Sequence, residues 1–98
     1  MKPSGNTILI TGGGSGIGQA LAQRLHDADN TVIVAGRRQN ALDETIAGRA
    51  NMHALVLDIE SPEGISDFTE RLLGAYPSLN VLINNAGIMR FEDLAQTH

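Results

Sequence analysis

A glycine-dense turn from Gly12 to Gly18 separates a short apolar segment from an amphipathic one. The apolar segment, Thr7 to Thr11, is rich in β-branched residues and uncharged, which predicts a strand buried on both faces of a sheet. After the turn, Ile17, Leu21 and Leu25 recur at the spacing of an amphipathic helix. A glycine turn between strand and helix is typical of phosphate-binding loops, because N–H groups at the helix start point at the anion. Consecutive glycines can also form a plain loop, so the flanking segments decide between the two.

The rest of the chain alternates apolar segments of strand length with segments of helical periodicity. Strands are predicted over 31–35, 53–57 and 81–84, and helices over 17 to about 30, 39–48 and 62–75, with a further helix starting near 91. This alternation predicts right-handed crossovers and a doubly wound parallel sheet with helices on both faces, a Rossmann-type α/β fold truncated to about four strands. The expected strand order is 3-2-1-4, which opens a crevice at the carboxyl ends of the first and fourth strands. Thr11-Gly12 and Asn84-Asn85 would face each other there.

The composition indicates one globular domain and argues against several classes of protein. The 98 residues carry a net charge of −4, whereas nucleic-acid surfaces need clustered lysine and arginine, so no nucleic-acid partner is expected. No apolar run approaches the roughly 20 residues of a membrane span, and no membrane partner is expected. The sequence contains no cysteine, which favours a reducing compartment, the cytoplasm. The three histidines match no zinc spacing, so no metal site is predicted.

The spacing of the glycines is T-G-x-x-x-G-x-G, which differs from the general G-x-G-x-x-G pattern. It is formed by Thr11, Gly12, Gly16 and Gly18. A second motif, N-N-A-G, follows the fourth predicted strand at residues 84–87. With both motifs in register, the chain resembles the short-chain dehydrogenase/reductase (SDR) family over its whole length, and within it the branch named after the D-alanyl-transfer operon oxidoreductase. The resemblance implies that residues 1–98 are the N-terminal part of a single NAD(P)-binding Rossmann domain whose catalytic half is absent, and that Thr11 and Asn84 tie two strand ends together.

The resemblance also implies a set of cofactor-binding residues. In the family, the aspartate that matches Asp58 bonds the adenine amino group, and the backbone of the next residue, here Ile59, adds a contact. The asparagine that matches Asn85 and the two residues after it contact a cofactor ribose, and Ser15 would lie near the adenosine ribose or its phosphate. The full set is Gly12, Ser15, Gly16, Ile17, Gly18, Arg37, Arg38, Asp58, Ile59, Asn85, Ala86 and Gly87. Plainer alternatives exist: Asp58 as a strand-end acid, and Asn84-Asn85 as an ordinary turn.

The residues after the second predicted strand bear on the choice of nicotinamide cofactor. NAD-preferring sites place an acid about 20 residues beyond the glycine turn, where it binds the ribose hydroxyl. Here that position reads Ala35-Gly36-Arg37-Arg38, with no acid, and two guanidiniums can pair with a 2′-phosphate. A solvated basic corner is the plainer alternative, and the glycine loop lacks the arginine that many NADP-preferring family members carry. NADP is the predicted cofactor, with NAD as the alternative.

No catalytic residue is assigned. The resemblance implies a Tyr-x-x-x-Lys pair, but Tyr76 is the only tyrosine, Asn80 stands four residues on, and Lys2 is the only lysine. The expected function is NADP-dependent hydride transfer to or from an alcohol or carbonyl substrate, with this chain as the cofactor-binding half and itself inactive. An exposed edge on the fourth strand would promote self-association, so a homo-oligomer is expected. The alternative is a non-catalytic nucleotide-binding or interaction module.

Overall fold

A computed structural model describes residues 4–14, 16–57 and 62–85 of the chain. Within these residues, strands and helices alternate in the order β1 (Thr7–Thr11), α1 (Gly16–Asp27), β2 (Thr31–Gly36), α2 (Gln39–Ile46), β3 (Met52–Val56), α3 (Pro62–Ala75) and β4 (Val81–Asn84). The bounds of β1, α3 and β4 match the prediction. The helix predicted from about residue 91 lies outside the described residues.

The four strands of this part of the chain form one parallel sheet in the order β3-β2-β1-β4, as predicted. β1 pairs with β2 on one side and β4 on the other, and the register sets Thr11 beside Ala35 and Asn84. Because parallel strands run in the same direction, the carboxyl ends of these three strands lie side by side at one edge. The predicted crevice between the first and fourth strands therefore falls at this carboxyl edge.

Helices cover both faces of the sheet and bury the two central strands. On one face, Ile10 of β1 packs in a cluster with Leu42 of α2. On the other face, Leu9 packs in a cluster with Phe68 of α3. This alternation follows from the two-residue period of a strand, and burial of each such side chain stabilises the fold by roughly 1.5–3 kcal/mol. The prediction that β1 is buried on both faces is confirmed, since every residue after Thr7 in this strand is buried.

Three asparagines join the strands at the opposite, amino edge of the sheet. The backbone N–H and the side-chain amide of Asn6 both donate to Asn30 Oδ1, at 3.0 and 2.9 Å. Asn80 Nδ2 donates to Asn6 Oδ1 at 3.0 Å, and Asn80 Oδ1 accepts from the Thr7 N–H at 2.8 Å. Asn6 and Asn30 are buried, so these bonds replace the water that their amides lose on folding. The network fixes the starts of β1, β2 and β4 relative to one another.

The second and third strands differ by one residue from their predicted bounds. β2 extends to Gly36, and β3 covers Met52–Val56 in place of 53–57. The Val32 N–H donates to the Asn51 carbonyl oxygen at 3.0 Å, which begins the pairing of β2 with β3 one residue earlier than the apolar pattern indicates.

Helices α1 and α2 both end short of their predicted bounds. α1 ends at Asp27, because Asp29 adopts a φ of 67° and Asn30 Nδ2 donates to a carbonyl oxygen in the last turn of the helix at 2.8 Å. α2 ends at Ile46, two residues before Gly48, which has a φ of 75°. Left-handed residues just beyond a helix are typical of its termination.

Candidate functional site

Side chains join the carboxyl ends of β1 and β4 at the predicted crevice. Thr11 Oγ1 donates to Asn84 Oδ1 at 3.0 Å, and Asn85 Nδ2 donates to the Gly12 carbonyl oxygen at 3.4 Å. Thr11 is buried, whereas Asn84 and Asn85 are exposed. The expected tie between Thr11 and Asn84 is therefore observed, and Asn85 stands directly beside the glycine turn.

The glycine turn folds back over the end of β2. Gly12, the first residue after β1, has a φ of 71°, a left-handed conformation that glycine adopts at little cost. Its N–H donates to the Ala35 carbonyl oxygen at 2.8 Å, and the Gly13 N–H donates to the same oxygen at 3.3 Å. The turn therefore rests on the carboxyl end of β2, next to the residues that follow that strand.

Close packing excludes side chains at two further positions of the turn. A Cβ on Gly18 would overlap the Gly12 carbonyl oxygen and lie 2.9 Å from Asn85 Nδ2, so glycine here allows the start of α1 to lie against the end of β1. A Cβ on Gly13 would lie 2.7 Å from the Cβ of Val34 in β2. The T-G-x-x-x-G-x-G motif does not single out Gly13, because that position is variable in the pattern. Only the approach of the turn to β2 reveals its role.

The start of α1 is exposed at Gly16 and Ile17, and its first turn carries no acidic side chain. Gly16 has a φ of 58°, and a Cβ on it would meet no atom within 4 Å. The side chain of Ile17 is 79% exposed. The first N–H groups of a helix have no partner within the helix, and the helix dipole makes them attractive to an anion. With open space beside Gly16 and no competing carboxylate in the first turn, this end of α1 is suited to a phosphate.

Two arginines follow β2 at the same edge of the sheet. Arg37 and Arg38 are both exposed, and Arg38 is the N-cap residue of α2, without a side-chain cap. The first turn of α2 carries no acidic residue, and no ion pair within the described ranges involves either arginine. They follow closely after Ala35, whose carbonyl oxygen accepts from the glycine turn. The two guanidiniums and the start of α2 make this corner of the molecule positive.

A buried hydroxyl on α2 contacts the glycine turn, and the sequence motifs do not reveal this contact. Thr45 Oγ1 donates to the Gly13 carbonyl oxygen at 2.8 Å, and the Thr45 side chain is buried. The sequence carries one signal for it, a polar residue on the apolar stripe of α2, between Leu42 and Ile46.

The structure brings together the predicted cofactor-binding residues that it describes. Gly12, Gly16, Ile17, Gly18 and Asn85 lie around the end of β1, and Arg37 and Arg38 follow the neighbouring end of β2. The other members of the set, Ser15, Asp58, Ile59, Ala86 and Gly87, lie outside the described residues. The structure therefore describes two parts of the candidate site, the glycine turn and the two arginines that follow β2.

Tyr76 lies toward the opposite end of the sheet from the glycine turn. It follows α3, which runs back from the carboxyl edge toward the amino edge, and its ring centroid lies 5.3 Å from that of His53. Desolvation by burial raises the pKa of Tyr76 above its ordinary value of 10.0. A phenol with a raised pKa is a weaker acid at neutral pH. Both the position of Tyr76 and its pKa disfavour proton transfer at the glycine turn.

Two other kinds of feature are not found in the described ranges. No three acidic or histidine side chains there cluster closely enough to hold a metal ion. In the same part of the chain, no helix has the length and apolar character needed to cross a membrane.

The four described strands form a parallel sheet in the order β3-β2-β1-β4, and a glycine turn leads into a helix at the point where the strand order reverses. These features define an α/β protein of the Rossmann type. Comparison with known proteins then gives the family. The chain belongs to the short chain dehydrogenase family, whose sequence pattern matches residues 6–98. The resemblance inferred from the two motifs is thereby confirmed.

Relatives and solved structures align with most of this chain. The uncharacterized oxidoreductase DltE of Bacillus subtilis is 43% identical over 90 residues, which cover 92% of this chain and 36% of that protein. The Pseudomonas aeruginosa RhlG/NADP active-site complex superposes with a TM-score of 0.77 at 25% identity, covering 99% of this chain and 48% of that one. L-Sorbose reductase from Gluconobacter frateurii, complexed with NADPH and L-sorbose, superposes with a TM-score of 0.76 at 27% identity. The match covers 89% of this chain and 35% of that one. The chain spans about a third of the length of the curated relatives it matches.

Proposed function

We propose that this chain is the cofactor-binding part of an NADP-dependent oxidoreductase of the short chain dehydrogenase family. The reaction is hydride transfer between the nicotinamide and an alcohol or carbonyl substrate. One observation carries the proposal: in a member of this family, the glycine turn places the start of α1 beside the carboxyl ends of β1 and β4. Relatives described as oxidoreductases and reductases support the reaction class.

In this proposal, the described residues bind a dinucleotide. The N–H groups of Gly16, Ile17 and Gly18 would bind the diphosphate, because they begin α1 and adjoin open space at Gly16. Asn85, which already contacts the turn, would reach a cofactor ribose. Ser15, Asp58, Ile59, Ala86 and Gly87 would complete the contacts to the adenosine and the ribose. When bound, the nicotinamide supplies or accepts the hydride, and the residues of this chain bind and orient it.

The proposed preference for NADP depends on the residues that follow β2. An acid at the end of this strand would accept a bond from the ribose hydroxyl and repel a 2′-phosphate, and here Gly36 leads directly into Arg37 and Arg38. Both guanidiniums are exposed and form no ion pair in the described part of the chain, so they are available to an external phosphate. The similar structures of RhlG and L-sorbose reductase, in complex with NADP and NADPH, support this choice.

The chain is expected to bind cofactor without turning over substrate. A Tyr-x-x-x-Lys pair cannot be formed from its residues, and Tyr76 lies away from the glycine turn. We propose that residues 1–98 are the N-terminal part of one Rossmann domain of a cytoplasmic protein. Self-association is part of this proposal, because the apolar residues of β4, Val81 to Ile83, are only half-buried at the edge of the described sheet.

Two glycines allow a matched test of the site. Gly16 and Gly48 have φ values of 58° and 75°, and a Cβ on either would meet no atom within 4 Å. Alanine therefore strains the backbone similarly at both positions, by roughly 1–2 kcal/mol, but only Gly16 belongs to the glycine turn. We expect Gly16→Ala to weaken NADPH binding at least about tenfold and Gly48→Ala to change it less than about twofold.

Binding is followed by the fluorescence of NADPH on titration with the 98-residue chain, and folding by circular dichroism. The proposal is wrong if the folded, unaltered chain does not bind NADPH, or if the two variants lose binding equally.

A further inference from the structure

One hydroxyl connects the glycine turn to both helices on its face of the sheet. Thr45 Oγ1 donates to the Gly13 carbonyl oxygen at 2.8 Å and accepts from Gln19 Nε2, in α1, at 3.2 Å. The carbonyl oxygen of Thr45 accepts from Gln23 Nε2, also in α1, at 3.3 Å. Thr45 and Gly13 are both buried, so water cannot substitute for the bond between them.

A second buried threonine shows what a hydroxyl with a purely helical role does. Thr69 in α3 is also fully buried, and its Oγ1 donates to the Ile65 carbonyl oxygen, one turn back in the same helix, at 2.8 Å. The equivalent bond of Thr45, to the Ala41 carbonyl oxygen, is longer at 3.2 Å. The shorter bond of Thr45 instead leaves its helix and reaches Gly13. Its hydroxyl is thus directed at the turn rather than at its own helix.

The bond sets the direction of the peptide unit that joins Gly13 to Gly14. The Gly13 N–H donates to Ala35 at the end of β2, and its carbonyl accepts from Thr45 in α2, so both of its backbone groups are fixed. Because a trans peptide is planar, the Gly14 N–H points opposite to the Gly13 carbonyl, away from Thr45. A Cβ on Gly14 would lie 3.0 Å from the Ala41 Cβ, which shows how closely the turn lies on α2.

We propose that Thr45 is a positioning residue for the binding of the cofactor diphosphate. It does not touch the ligand; it holds the Gly13 carbonyl inward so that the following amides of the turn keep the orientation that grips the diphosphate. This inference rests on the proposed function, because it assumes that the turn binds a dinucleotide.

Three variants test the role of the hydroxyl. Thr45→Val keeps the shape of the side chain and removes the donor, Thr45→Ser keeps the donor, and Thr69→Val removes a buried hydroxyl that bonds only within its own helix. We expect Thr45→Val to weaken NADPH binding about tenfold or more, because the Gly13 carbonyl then loses the bond that holds the following amides in their binding orientation. Thr45→Ser and Thr69→Val should stay within about twofold of the unaltered chain.

Binding of a second ligand shows whether Thr45→Val disturbs the glycine turn alone or destabilises the whole fold. Adenosine 2′-monophosphate carries the proposed contact for Arg37 and Arg38 but has no diphosphate. Its binding, followed by NMR titration, should be the same in Thr45→Val and in the unaltered chain. Equal weakening of both ligands, or unchanged NADPH affinity in Thr45→Val, would overturn the inference and leave the proposed function standing. Failure of the unaltered chain to bind NADPH would overturn both.

If Thr45→Val does not fold, two half-buried glutamines provide the same test. Gln19→Met removes the donor to the Thr45 hydroxyl, whereas Gln23→Met removes a donor to the Thr45 backbone carbonyl only. We expect NADPH binding to weaken about threefold in Gln19→Met and to stay unchanged in Gln23→Met. Equal affinities in these two variants would overturn the inference.

Discussion

Replacing Arg37 and Arg38 with alanine should remove the preference of the chain for NADPH over NADH. Both side chains are exposed, and no ion pair in the described residues involves them, so the substitutions should change the free energy of unfolding by less than about 0.5 kcal/mol. The substitutions should therefore change the affinity for the cofactor and leave the stability of the chain almost unchanged.

The magnitude follows from the exposure of the two guanidiniums. A unit charge about 4 Å from another in water gains about 1 kcal/mol, and a phosphate monoester carries nearly two charges at neutral pH. Ordering of the exposed side chains offsets part of the resulting gain of about 2 kcal/mol for each arginine. We therefore expect NADPH affinity to fall roughly tenfold in Arg37→Ala and in Arg38→Ala, and roughly a hundredfold in the double variant, with NADH affinity unchanged.

The assay is a titration with each cofactor at low and at physiological ionic strength. Between about 0.01 and 0.15 M salt the screening length falls from about 30 to about 8 Å, so the preference for NADPH should shrink in the unaltered chain and not in the double variant. Arg24→Ala is the control, because Arg24 is also exposed but lies in the last turn of α1, toward the amino edge of the sheet. An NADPH-to-NADH affinity ratio that survives the double substitution, or that falls equally in Arg24→Ala, would refute the electrostatic reasoning.

Two further predictions concern stability. Asn30→Ala should lower the free energy of unfolding by roughly 1–3 kcal/mol in a urea titration, because it leaves the buried amide of Asn6 without its acceptor, whereas Asn40→Ala, on the exposed side of α2, should have almost no effect. Equal stability of the two variants would contradict the role given to the asparagine network. Because burial raises the pKa of Tyr76 in the folded chain, the unfolded chain loses the phenolic proton first, and the free energy of unfolding should fall as the pH rises above 10.0. Tyr76→Phe should make this fall shallower, and equal slopes for the two chains would count against the assigned cause.

The order of the strands was predictable because it depends on features local in the sequence. The buried run Thr7–Thr11, the glycine turn and the alternation of two periodicities together predict a parallel sheet with β1 between β2 and β4. The ends of the elements were less predictable, since individual side-chain bonds and backbone conformations set them. α1 ends early because the Asn30 side chain bonds its last turn, and the apolar stripe of α1 contains no trace of that bond.

The residues of the candidate site also differ in how well the sequence predicts them. The motif predicts Gly12, Gly16 and Gly18, because each is required by the course of the turn itself. Thr45 and Gly13 are 32 residues apart, and their bond depends on how α2 lies against the turn. No spacing rule in a single sequence contains that information.

The central claim is that the start of α1 binds the diphosphate of a dinucleotide. An NMR titration of the isotope-labelled chain with NADPH tests it most directly, because each backbone N–H gives its own signal. The account predicts that the amide signals of Gly16, Ile17 and Gly18 move most, while those of Asn6 and Asn30 at the opposite edge stay in place. Signals at the start of α1 that do not move while the chain remains folded, or larger changes at the amino edge, would contradict it.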